Sequence, residues 1–127
     1  MNWRSEAKRM LTTYQARCAS LQSAELELQR LDQLRCTGKS GNDRLNAMVT
    51  RAELMHTCKE NALCIRAVDT ALAALSKQEQ ELLTRLFIEP YWGGVQAMVD
   101  ATGIPRTTLY RRRDRALRKF TMAMYGR

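Results

Sequence analysis

The side chains best equipped for chemistry crowd the C-terminal end of the chain. Residues 103–127 hold seven Arg and one Lys against Asp114 alone, while the whole 127-residue chain has a formal net charge of +8. Everything upstream is thus close to neutral. A charge that served only solubility would be spread out, whereas a local concentration is an electrostatic footprint for a polyanion. The residue types fit nucleic acid in particular. A guanidinium is a planar fork that bonds phosphate, or guanine O6 and N7, through two N–H groups, and a Thr methyl or Tyr ring can meet the thymine methyl. Arg106, Thr107, Tyr110 and Arg111, at the start of the stretch, are therefore the candidate base readers, with Thr108 beside them. Arg115, Arg118 and Lys119 lie further along and are candidates for phosphates, which position a protein without carrying sequence.

These residues need a rigid carrier, and the pattern supplies one. From Arg106 there is no Gly or further Pro until Gly126, and Leu109, Ala116, Phe120 and Ala123 recur at spacings of seven, four and three, as on one face of a helix. Thr107, Arg111, Asp114 and Arg118 fall opposite, with Arg106, Thr108, Tyr110 and Arg115 to the sides. Arg113 lies near the buried pole and Arg112 beside it. One of these two is expected to pair with a carboxylate such as Glu89 or Asp100 while its stem covers apolar surface. Asp114 is expected to hold Arg111 or Arg118 along the helix, with acceptance from cytosine N4 as the alternative. Upstream, Val95, Met98 and Val99 make a short helix ended by Gly103, where a left-handed residue is cheap. Ile104 plugs the corner and Pro105 sets φ beside the next helix start. Two helices, a tight turn and a basic second helix make a helix-turn-helix, whose second helix enters the DNA major groove.

On these residues the segment resembles the end of sigma factor region 4, the helix-turn-helix that reads the promoter −35 element. That family reads Gly, Val or Ile, Thr or Ser, Arg, two variable positions, Ile or Val, and later closes on Ala-Leu-Arg-Lys-Leu. The corresponding residues here are Gly103, Ile104, Pro105, Arg106, Thr107, Thr108 and Leu109, then Ala116, Leu117, Arg118, Lys119 and Phe120. Over residues 60–125 the chain looks still more like the small phage-encoded activators of late transcription with a sigma-like C-terminal domain. The resemblance implies a DNA-binding regulator of phage or prophage origin acting in a bacterial host cell, with RNA polymerase as a further partner. Two residues depart from the family. Pro105 stands where a capping Thr or Ser is usual, so the hydroxyl cap is missing, and Arg112 stands where sigma factors carry an apolar Ile.

Other chemistry is poorly represented. Cys18, Cys36, Cys58 and Cys64 form no CxxC pair and His56 is the only His, so the recurring short spacings of a structural zinc site are missing. Reduced thiols and no metal are expected. The GKS at residues 38–40 lacks the earlier Gly of a phosphate-binding loop, since Gln33 occupies that place inside a helix. Glu25, Glu27 and Asp32 read as a solvated helix flank. With no nucleophile beside a base and no paired buried carboxylates, neither an enzyme nor a cofactor is expected. There is no apolar run of about 18 residues and no apolar core to an N-terminal signal. The expected place of action is the cytoplasm, without membrane association.

Scarcity of breakers, with two Pro and six Gly, makes the expected fold class all-α. Residues 3–35 read as one helix with Ala7, Met10, Tyr14, Leu21, Ala24, Leu28 and Leu31 at heptad a and d positions and Arg17 interrupting at d. Residues 36–42 read as a loop, with Gly38 and Gly41 as breakers. A second long helix, from residue 44 or 45 to 75, presents Met48, Ala52, Met55, Cys58, Ala62, Ile65, Val68, Leu72 and Leu75. Met10, Met48 and Met55 are expected as adaptable core filler. The two helices pair as an antiparallel hairpin with some dimer contact on the heptad stripe, so a homodimer is expected. Ser76 and Glu79 form a capping box that starts a helix running to Glu89, and Trp92 is expected to seal a small core. The domains are then residues 1–75, a long helical hairpin for packing and oligomerisation, and residues 76–127, a sigma region 4-like helix-turn-helix DNA-binding domain.

The function these features point to is a sequence-specific transcriptional regulator on double-stranded DNA. One such module buries little surface, so useful affinity calls for a dimer or a polymerase partner. Two alternatives stay open: the DNA-recognition small subunit of a phage packaging terminase, and a non-enzymatic adaptor whose basic face binds an acidic protein.

Overall fold

The computed structural model describes residues 2–34, 41–90 and 93–127. The expected loop around Gly38 and Lys39, with Cys36, and the pair Tyr91 and Trp92 lie outside the described residues. Every regular element among the described residues is helical, so the chain is all-α. The helices are α1 Trp3–Thr12, α2 Tyr14–Leu34, α3 Gly41–Ala73, α4 Lys77–Leu83 with a π-helical turn Thr84–Ile88 behind it, α5 Gly94–Thr102 and α6 Arg106–Tyr125.

The element boundaries follow local chemistry. The helix expected over residues 3–35 is interrupted at Thr13, where the Thr12 and Thr13 hydroxyls both donate to the Arg9 carbonyl at 3.1 and 2.8 Å. Such back-bonding by β-branched residues loosens a helix. α3 starts at Gly41, earlier than residue 44, with Asp43 in its first turn where a carboxylate meets the positive end of the helix dipole. The capping box forms, with the Glu79 N–H donating to Ser76 Oγ and the Ser76 N–H to Glu79 Oε1, each at 3.2 Å. The helix it starts does not run on uniformly to Glu89. The Thr84 hydroxyl donates to the Gln80 carbonyl at 2.7 Å, and the Glu89 N–H reaches back to the Thr84 carbonyl at 2.7 Å, which widens the last turn to the π type.

The chain divides into two compact units, one of Met1–Gln15 with Arg66–Arg127 and one of Ala16–Ile65. In the first, α1 packs on α6 and on the π-helical turn, and α4 and α5 also pack on α6. Its largest fully buried side chains, Leu11, Val68, Leu83, Leu117 and Phe120, come from α1, α3, α4 and α6. Each such burial contributes roughly 1.5–3 kcal/mol. The contact boundary therefore does not coincide with the capping box at Ser76, because Ala7, Met10 and Leu11, at i, i+3 and i+4, bury α1 here. A second cluster of Leu82, Met98 and Leu109, with Leu86, Val95, Val99 and Ile104 against it, holds α4, α5 and α6 together. Ile104 thus fills the corner between α5 and α6.

On α6, Leu109, Ala116 and Phe120 are buried, together with Leu117 and Thr121. Ala123, expected on that face, is exposed. The buried strip turns toward 117 and 121 because α1 lies against α6 as well.

The second unit is an antiparallel pairing of α2 with α3. At one end Arg17 donates to Asn61 Oδ1 at 3.1 Å and Asn61 donates to Ser20 Oγ at 3.3 Å; at the other Arg51 donates to Asp32 Oδ1 at 2.8 Å. Ala24 and Leu31 are buried, and Leu21 and Leu28 half-buried. The inward side of α3 runs through Ala47, Arg51, Leu54, Cys58, Asn61 and Ile65, all half-buried or buried. Met48 and Met55, expected as core filler, and Ala52 on the same expected stripe are exposed, whereas Cys58, Ala62, Ile65, Val68, Leu72 and Leu75 of that stripe are half-buried or buried. The expected and observed stripes share Cys58 and Ile65 and part by one residue elsewhere, at 47/48, 51/52, 54/55 and 61/62. The inner one contains Arg51 and Asn61, whose polar groups bond Asp32, Arg17 and Ser20 of α2, whereas Met48, Ala52 and Met55 have no such groups to offer α2.

Candidate nucleic-acid interface

The turn between α5 and α6 is set by backbone conformation. Gly103 has φ 72°, a left-handed value, and its N–H donates to the Val99 carbonyl at 2.9 Å. The Ile104 N–H donates to Thr102 Oγ1 at 3.3 Å. Pro105 precedes α6 with φ −57° and ψ 146°, and no side chain caps the helix start. The guanidinium of Arg106 donates to Gln96 Oε1, and Gln96 donates in turn to Asp100 Oδ1 at 3.1 Å. α5 thereby braces the first cation of α6.

Beyond that, the expected residues separate into rows. Thr107, Arg111 and Arg118 are exposed along one side of α6, and Asp114, in the same row, is half-buried. Its carboxylate is taken by Arg113 at 3.0 Å, with Arg4 of α1 at 3.6 Å. This replaces the expected partners Arg111 and Arg118, because α1 carries a cation to the middle of α6. Arg113 also stands 4.8 Å from the centre of the Tyr110 ring, so neither Glu89 nor Asp100 is its partner. Tyr110 is 37% exposed. The next row holds the half-buried Thr108 and the exposed Arg112, Arg115 and Lys119.

Arg112, Arg115 and Lys119 line an open groove of about 520 Å³, faced by Glu79, Glu81 and Arg85 and floored by Leu82, Met98 and Leu109. Lys119 Nζ lies 3.1 Å from Glu79 Oε2. Burial works to raise the Glu79 carboxyl, but hydrogen bonds from the Ser76 N–H and Lys119 outweigh it, and its pKa lies below the usual glutamate value. Lys119 therefore already has a counter-charge inside the chain. Among the described residues Arg111, Arg112, Arg115 and Arg118 form no ion pair. Arg112 is the exposed cation that periodicity placed beside the buried pole. Its row-mates at 108, 115 and 119, at steps of three and four, were the signal for its true position.

Among the described residues no group of three His, Cys, Asp or Glu side chains is arranged to hold a metal ion, and Cys18, Cys58 and Cys64 are half-buried free thiols. No described helix is long and apolar enough to cross a membrane. No known protein family, curated protein or solved structure matches the chain.

Proposed function

We propose that the chain is a sequence-specific DNA-binding transcriptional regulator, of the phage or prophage kind its sigma-like segment resembles, with α5, the turn and α6 as its helix-turn-helix. The supporting observation is the two adjacent rows of exposed guanidiniums, Arg111 with Arg118 and Arg112 with Arg115, lacking ion pairs among the described residues, on a helix whose other side is buried. Concentrated like charge repels itself, and a polyanion relieves that cost. Arg106, Thr107, Tyr110 and Arg111, with Thr108, take the base-reading roles; Arg115, Arg118 and Lys119 take phosphates, and Arg112 joins them. The Gln96 brace restricts the Arg106 side chain beforehand, so less rotamer entropy is lost when it meets a base. A single module of this size buries little surface, so a second copy or RNA polymerase completes the complex.

Selection of bound duplexes from a random double-stranded pool, with affinity followed against salt and native mass in parallel, tests this. Enrichment of one motif with steep salt dependence is expected. Salt-dependent binding without enrichment removes the sequence-specific part. Absence of DNA binding at any salt concentration points to an adaptor for an acidic protein, and a ring of copies points to a packaging subunit.

A further inference from the structure

Residues 1–15 hold Arg4, Lys8 and Arg9 against Glu6, whereas residues 16–102 hold ten cations against eleven carboxylates. The small basic surplus upstream of the helix-turn-helix therefore belongs to α1, and α1 packs on α6. Ala7, Met10 and Leu11 bury one side of α1, and the Trp3 ring lies 4.9 Å from the Tyr125 ring, so the first turn of α1 is anchored on α6. Arg9 is paired with Glu6. Lys8 is exposed and forms no ion pair among the described residues.

Arg4 meets Asp114 in an uneven contact. The Asp114 carboxylate is held by Arg113 at 3.0 Å, with Arg4 at 3.6 Å. Two guanidiniums share one carboxylate, and one positive charge is left over. Arg113 is the more enclosed, with its side chain 30% exposed against 45% for Arg4, and it also lies on the Tyr110 ring. The surplus is thus presented by Arg4, whose bond to the Asp114 carbonyl at 3.4 Å keeps it in place. At about 100° per residue, Thr107, Arg111, Asp114 and Arg118 lie within about 60° of one another on α6, with Asp114 about 4.5 Å past Arg111 and about 6 Å before Arg118 along the axis. Arg4 therefore stands beside the one position of that outward row where α6 itself carries no cation.

We infer that α1 is a second DNA-binding element, in which Arg4, with Lys8 one turn further on the same side of the helix, contacts phosphates of the duplex that α6 reads. The inference rests on the proposed reading of α6 and extends the interface to a helix outside the helix-turn-helix. Cations on an anchored helix hold phosphates without carrying sequence. The contact with Asp114 restricts Arg4 before DNA arrives, so less rotamer entropy is lost on binding. Asp114 keeps Arg113 when Arg4 turns to a phosphate, and no carboxylate is left bare beside the DNA.

The salt dependence of binding by the full chain to a random duplex tests this. Arg4→Ala and Lys8→Ala should each lower the slope of log K against log salt by roughly one, and the double variant by roughly two, because fewer counterions are released. Helicity by circular dichroism should not change, since both side chains are exposed. Arg4→Lys should keep the parent's slope. The loss from Arg4→Ala should persist in an Asp114→Asn background; an effect that vanishes there makes Arg4 a shield for Asp114 instead of a phosphate contact and overturns the inference. A double variant with the parent's slope also overturns it, and if Arg118→Ala lowers the slope in the same series, the reading of α6 stands while α1 lies off the DNA. A parent without salt-dependent binding removes that reading and the inference with it.

Discussion

The guanidinium of Arg4, in the first turn of α1, stands 3.6 Å from the carboxylate of Asp114, in the middle of α6, and donates to the Asp114 carbonyl at 3.4 Å. The pair joins residues 110 positions apart, yet it is not what holds the helices together. Its side chains are 45% and 46% exposed, and an exposed pair is worth about 0–1 kcal/mol. Leu11, fully buried on the same short helix, carries the attachment. In urea unfolding, Arg4→Ala should lower stability by less than about 1 kcal/mol, whereas Leu11→Ala should cost about 2–5 kcal/mol. Near-equal losses would show that α1 is held electrostatically, and a loss below that of Arg4→Ala for Leu11→Ala would detach α1 from the core.

Glu79 predicts a pH dependence. Its folded pKa is lowered, so the stability it adds is fully present above the ordinary glutamate pKa and is lost as pH falls through the depressed value. Glu79→Gln should therefore melt below the parent near neutrality, and the two melting curves should converge in acid. A gap that stays constant into acid would assign the effect to neutral hydrogen bonds of the cap. Ser76→Ala removes the other half of the capping box and should cost about 0.5–2 kcal/mol at any pH where Glu79 is ionised.

Gly103 isolates a purely conformational cost. A Cβ built there meets nothing within 4 Å, yet φ is +72°. Gly103→Ala should thus cost about 1–2 kcal/mol in chemical denaturation through backbone strain alone. Pro105→Ser restores a hydroxyl where no side chain caps α6. The gained cap, about 0.5–2 kcal/mol, outweighs the lost chain stiffness of Pro, about 0.4–1 kcal/mol, so a small net gain is expected.

How far the fold could be read from the chain depended on how local each signal was. The capping box at Ser76 and Glu79, the left-handed Gly103 and the corner filled by Ile104 are contained in a few consecutive residues, and all three are present. The burial of Ala7, Met10 and Leu11 beside α6 was not legible, because periodicity shows that a face is apolar without naming its partner. Met48 and Met55 illustrate the same limit. Their stripe fits a helical repeat as well as the Leu54 stripe does, and only the pairing of Asn61 and Arg51 with α2 settles which faces inward. At the candidate interface, the row of Arg111 and Arg118 followed from counting positions. The approach of Arg4 to Asp114, beside the closer Arg113, and the pairing of Lys119 with Glu79 did not, since Arg4 and Glu79 come from distant stretches.

That last contact makes Lys119 a special case among the phosphate candidates. Arg118 has no ion pair among the described residues, so Arg118→Ala should weaken preferred and random duplexes equally and lower the slope of log K against log salt by roughly one. Lys119 must first leave Glu79, 3.1 Å away, and a carboxylate beside a phosphate contact opposes the DNA. Lys119→Ala should consequently lower the slope by less than Arg118→Ala, while Glu79→Gln should strengthen binding to all duplexes alike. Arg111 should behave differently from both. Its substitution by Ala should cost about 1–3 kcal/mol on the preferred duplex and flatten discrimination at one base pair, because bidentate geometry belongs to one base. Affinities and salt slopes of the four variants on preferred and random duplexes distinguish these roles. If Arg111→Ala loses preferred and random binding in the same proportion, Arg111 reads no base; if Arg118→Ala leaves the slope unchanged, that side chain lies off the DNA and the basic face of α6 serves an acidic protein instead.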